Sequence, residues 1–196
     1  MLTKKDLQKI YHGQKKSLQE IARKFHCSIN QIVYWMDKYR IRRRSISDAV
    51  YVKNNPKGDP FVFSKPRTLK EAQLFGIGLG LYWGEGTKAN KASVRLGNTD
   101  PKLVKYFLRF LTKFFGVKKR DFRFSLQIFT DIDEKTALRY WMVSLKVNAN
   151  QFTKTTVSPS QSTGTYKKKC RYGVATLYYH NKKFRDILLN KLNMLD

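Results

Sequence analysis

Glu85 ends the run Gly76-Ile-Gly-Leu-Gly-Leu-Tyr-Trp-Gly-Glu-Gly86, in which glycine recurs every four residues at Gly76, Gly80 and Gly84. On a helix these glycines share one face, and each costs about 1 kcal/mol of helix propensity relative to alanine. Close approach of a second helix is the usual compensation. The run is too short and too polar at its ends to cross a bilayer, which takes about 20 apolar residues, so a soluble helix pair is expected. Glu85 then falls at the helix C-terminus, where the dipole disfavours a carboxylate unless a cation is near. Two readings stand: a core helix ending in a buried-looking carboxylate, or an oxygen ligand for a hard divalent cation. Spacing excludes nucleotide loops. A GxGxxG pattern begun at Gly76 or Gly78 needs glycine where Leu81 or Trp83 stands, and the Gly-Lys of a phosphate loop is missing.

A second set of residues has the chemistry to read nucleic acid. Ser17-Leu-Gln-Glu20 and Ser28-Ile-Asn-Gln31 are two capping boxes, each with a hydroxyl at the N-cap and Glu or Gln three residues on. They mark two helix starts separated by a short helix and a tight turn over Ile21 to Cys27. This resembles a helix-turn-helix, whose second helix would enter the major groove. Ile32 and Met36 belong inside, whereas Asn30, Gln31, Tyr34 and Lys38 face outward. Asn and Gln pair bidentately with adenine, and Lys38 with Arg42, Arg43 and Arg44 would hold phosphates. His12, His26 and His180 read as surface or turn residues.

These side chains need elements to position them. Residues 1–50 read as a three-helix domain. Residues 51–69, with Asn54-Asn-Pro-Lys-Gly-Asp-Pro60 and Lys65-Pro66, break both helix and strand periods and read as a linker, its Phe61-Val-Phe63 patch docking on a neighbour. Residues 70–196 form the second domain. Ser93 to Asp100 is a strand; Asp100-Pro101 opens an amphipathic helix that Gly116 stops. Phe122, Phe124, Leu126 and Ile128 alternate with polar residues, a strand with one core face and one basic face. A helix over Asp133 to Leu145, strands near 152–158 and 172–179, and a last helix from Asn181 complete an α+β fold. The expected sheet is antiparallel, of about four strands, with helices on one side. Its open face would carry Ser93, Arg95, Arg123, Ser125 and Gln127, able to lie in a DNA groove. Lys167, Lys168 and Lys169 make a basic loop, phosphate-facing or solvated.

Residues 78–86, GLGLYWGEG, resemble the LAGLIDADG motif of homing endonucleases, with Gly80, Leu81 and Gly86 in register and Glu85 at the final acidic position. Trp83 stands where the family's name has Asp. The resemblance spans about residues 70–195. It implies that Glu85 binds catalytic Mg²⁺ for phosphodiester hydrolysis in double-stranded DNA. The single motif implies a homodimer joined through Gly76, Gly80 and Gly84. The same scaffold resembles bacterial regulators that pair such a domain with a helix-turn-helix and do not cleave. A smaller possibility is an RNA-binding or splicing role.

Charge supports a polyanionic partner. Lys and Arg number 40 against 14 Asp and Glu, a net +26, distributed as +8 over residues 1–50, +4 over 51–70 and +14 over 71–196. With 41% hydrophobic residues the charge is mounted on folded surfaces rather than on a disordered tail. Cys27 and Cys170 lack the spacing of a disulfide framework or zinc site. No signal-like or membrane-length run occurs, so a cytoplasmic, nucleoid-associated protein without membrane contact is expected.

Overall fold

A computed structural model describes residues 2–160 and 170–193. The chain is α+β, with eight α-helices and a four-stranded mixed sheet among the described residues. It divides into two compact units, Met1–Asp59 and Pro60–Asp196. None of the described helices is long and apolar enough to cross a membrane.

The first unit is helical. α1 (Lys4–Gln8) runs on as a π-helical turn (Lys9–Gly13), followed by α2 (Leu18–Lys24), α3 (Ile29–Lys38) and α4 (Ile46–Asn54). Both capping boxes form: Ser17 and Ser28 accept from the amides of Glu20 and Gln31, whose side chains reach back to the serine amides. Leu7, Ile10, Tyr11, Ile21, Ala22, Ile32, Met36 and Ile41 make a separate small core. α4 is a helix that the sequence pattern did not disclose. It starts on a Ser45 N-cap, crosses residue 50 and buries none of its residues, so it has no apolar stripe to read.

In the second unit, residues expected in the linker join the core. Phe61 is buried, and the amides of Val62 and Ser64 donate to the carbonyls of Phe115 and Phe114 at 2.9 and 2.8 Å. Thr68 caps α5 (Leu69–Glu85). β1 (Val94–Asn98) leads to α6 (Pro101–Phe115), capped by Asp100 and stopped by Gly116 at φ 62°. Then come β2 (Arg123–Phe129), α7 (Glu134–Leu145), β3 (Thr156–Ser158), β4 (Val174–Tyr179) and α8 (Lys182–Leu192). Strand order is β1-β4-β2-β3. β4 pairs antiparallel with β1 and β2, but β3 runs parallel to β2, which corrects the expectation of an antiparallel sheet. Val94, Leu96, Phe124, Leu126, Ile128, Ala175, Leu177 and Tyr179 join residues of α5, α6, α7 and α8 in one aromatic-rich core. Helices therefore cover one face of the sheet. The alternate residues form the other face.

Candidate nucleic-acid interface

Strand register builds the open face row by row. Arg95 and Arg123 both pair with Tyr178, one on either side of it, and Gly97 and Ser125 both pair with Thr176. Gln127 lies between Val174 and Thr156. Arg123 and Gln127 are exposed; Arg95 and Ser125 are half-buried. Ser125 and Tyr178 share a hydroxyl–hydroxyl hydrogen bond of 2.9 Å, and the Arg95 guanidinium lies 5.0 Å from the centre of the Tyr178 ring. A side chain at Gly97 would press on the Thr176 hydroxyl at 2.7 Å, so the middle row stays low. Ser93 departs from expectation: it is fully buried, donating to Asn90 Oδ1 at 3.1 Å and accepting from Arg95 Nε at 2.8 Å. It orients Arg95 rather than facing a ligand. His180 belongs to this face and was missed. It is exposed, its ring lies 5.8 Å from that of Tyr178 at 12°, and the period-two pattern extended past Tyr178 would have found it. Partial desolvation of the ring, then the charges of Arg95 and Arg123, hold its pKa below the ordinary value.

α5 turns two different glycine faces to its surroundings. Gly78 packs inward, where a β-carbon would overlap the Phe110 ring. Gly76, Gly80 and Gly84 are exposed, with open space where a β-carbon would stand, and Ile77 and Trp83 flank them at 47% and 64% exposure. The close-packing partner expected for these three glycines is thus not another helix among the described residues. Glu85, read as buried-looking, is exposed. The cation its helix end calls for is supplied from within: the Lys88 ammonium donates to the Trp83 carbonyl. The segment is stitched to β1, with Gly86 bridging Leu96 and the Thr87 amide donating to the Arg95 carbonyl at 3.1 Å. Among the described residues no three His, Cys, Asp or Glu side chains cluster as a ready metal site. One exposed carboxylate still fits Mg²⁺, which is commonly bound through one or two carboxylates plus phosphate oxygens and water.

In the first unit, Asn30, Gln31, Tyr34 and Lys38 are exposed on α3, opposite the fully buried Ile32 and Met36. The lining of an open cleft at the start of α3 includes Gln19, Arg23, His26 and Gln31. Gln31 Oε1 accepts from the Ser28 amide at 3.0 Å, so its capping role occupies the oxygen that a bidentate adenine contact needs. Lys38 lies over the Trp35 ring at 4.9 Å. Arg42 is exposed, and Arg43 faces Asp37 at 3.6 Å across an exposed pair. Arg44 departs from the expected phosphate role. Its guanidinium lies over Tyr11 at 4.1 Å and donates to the carbonyls of Lys15 and Lys16, locking the segment after α3 onto the unit's core. Lys167, Lys168 and Lys169 lie outside the described residues.

Comparison with protein-family models, with curated proteins and with solved structures returned no match for this chain.

Proposed function

We propose that this protein binds double-stranded DNA sequence-specifically as a homodimer. The carrying observation is the open sheet face, where Arg95 and Arg123 flank Tyr178 among Ser125, Thr176 and Gln127. Among the described residues neither guanidinium is paired with a carboxylate. Guanidiniums supply phosphate attraction, while the amide and hydroxyls can meet base edges. α2 and α3 act as a helix-turn-helix whose exposed Asn30 and Tyr34 read the major groove, with Lys38 and Arg42 on phosphates. Two copies meet through Gly76, Gly80 and Gly84, which gives those residues the close contact that offsets their helix cost. The protein works on genomic DNA in the cytoplasm.

Within this reading, the favoured activity is LAGLIDADG-type cleavage. Glu85 stands exposed at the end of the open glycine face, so two joined copies would present two carboxylates beside one duplex. With Mg²⁺ bound, the chemistry supplied is a lowered pKa for water and neutralised phosphoryl charge. Glu85 would hold the ion, and the sheet would fix the scissile phosphate. Lys88, already bound to the Trp83 carbonyl, keeps the Glu85 segment in place. The second reading is a regulator that binds without cutting, favoured by the absence, among the described residues, of any cluster of three metal-ligating side chains.

A randomised duplex pool incubated with Mg²⁺, then with EDTA, separates the two. Cut ends that need Mg²⁺ and vanish in Glu85→Gln, with binding retained, are expected. Enriched but uncut DNA would make the protein a regulator, and no enrichment would remove the duplex reading.

A further inference from the structure

We propose that Arg95, Arg123 and His180 form one phosphodiester-binding cluster around Tyr178, with His180 taking up a proton when the anion arrives. This deepens the DNA reading and rests on it for its biological ligand. The cluster is set by strand geometry. Adjacent strands lie about 4.8 Å apart, so Arg95 and Arg123, paired to opposite sides of Tyr178, have backbones roughly 10 Å apart. His180 follows Tyr178 by two residues, about 7 Å along the same chain and on the same face. Three cationic or protonatable groups thus surround one aromatic ring.

Each group is held, yet keeps donors free. Ser93 fixes Arg95 through Nε, which leaves the terminal nitrogens. Arg123 spends Nη1 on the carbonyls of Arg120 and Phe122, at 2.9 and 3.0 Å, which leaves Nε and Nη2. Tyr178 is pinned through its hydroxyl by Ser125 and serves as a wall under Arg95 and beside His180. The nearest sequence-adjacent carboxylate, Asp121 just before β2, faces Arg120 at 3.9 Å. Among the described residues no carboxylate pairs with Arg95, Arg123 or His180. Two oriented guanidiniums with an imidazole beside them match a phosphodiester, whose two free oxygens accept forked N–H donors.

Linkage fixes the sign of the pH effect. Partial desolvation and the charges of the two arginines lower the His180 pKa. A bound anion offsets both arginine charges and raises the His180 pKa, so binding takes up protons and weakens as pH rises through the bound value.

The test follows His180 by NMR in the full chain, with dimethyl phosphate against chloride at matched ionic strength. The diester should raise the His180 titration midpoint in the native chain and fail to do so in Arg95→Gln/Arg123→Gln. An unmoved midpoint in the native chain overturns the cluster whatever DNA does. In parallel, duplex affinity from pH 7.5 to 5.5 should rise roughly tenfold more for the native chain than for His180→Gln. Equal pH slopes with DNA bound overturn His180's part. A chain whose His180 answers the diester but which binds no duplex upholds the cluster and removes the duplex reading.

Discussion

Within α5 the glycines carry opposite meanings, and a single methyl group distinguishes them. At Gly78 an added β-carbon overlaps Phe110, one of the fully buried rings of the core. Gly78→Ala should therefore cost the second unit about 1–3 kcal/mol through overpacking, read as a lower denaturant midpoint. At Gly80 an added β-carbon meets open space. Gly80→Ala should stabilise the unassociated chain by up to about 1 kcal/mol through helix propensity, while loosening the proposed dimer. Sedimentation equilibrium beside the melts checks both parts, and an unchanged dimer constant would remove this face from the interface. The sequence reveals the stripe Gly76, Gly80, Gly84 but not its direction. That is decided by Leu74, Leu79 and Tyr82, which sit about half a turn round and drive their own side, with Gly78, into the core. The helix end at Glu85 was legible, though not the side chain's exposure. The cation that settles its helix end is Lys88, three residues further on, and only the folded turn brings it back.

Among the elements, those whose ends are written in side-chain chemistry were legible, and those defined by pairing were not. Both capping boxes, the Asp100-Pro101 start and the Gly116 stop come directly from residue types. β3 has three residues and its parallel pairing to β2 depends on how the chain returns after α7, which no local pattern encodes. α4 escaped because it buries no residues and so has no apolar period. The capping box at Ser17 also makes a pH prediction. Glu20 accepts from Lys16 Nζ at 2.8 Å and from the Ser17 amide and hydroxyl, and in that order these bonds lower its pKa from 4.5 to about 2. A lowered carboxylate pKa means stability that is fully present above about pH 4.5 and lost as pH falls towards 2. The carboxylate is half exposed, so solvent screening makes the loss smaller than the shift alone implies. Helical circular dichroism of the first unit should show an acid-side loss in the native chain that Glu20→Gln flattens; identical acid limbs would remove Glu20 from the helix's stability.

At the scale of the whole molecule, each unit has its own core and its own unbalanced charge: residues 1–59 carry 14 Lys and Arg against 5 Asp and Glu, and residues 60–196 carry 26 against 9. Neither excess is needed to fold a core, and self-repulsion at this level destabilises a compact state unless a polyanion neutralises it. If both units hold one duplex together, their phosphate contacts sum in a single salt dependence, since each neutralised phosphate adds about 0.9 to the slope of log affinity against log salt. Lys38→Gln/Arg42→Gln in the first unit should therefore reduce the slope by about 2 per chain, Arg95→Gln/Arg123→Gln in the second, whose guanidiniums share one phosphate, by about 1, and the fourfold variant by the sum. The measurement is duplex affinity from low to moderate salt in the full-length chain. A fourfold variant no shallower than the second-unit pair would show that the helical unit stays off the DNA, and recognition would then rest on the sheet alone. Additive slopes would instead require both units on the same duplex. In a homodimer that means two α3 helices and two sheet faces reading one site, which must then carry the protein's own two-fold symmetry.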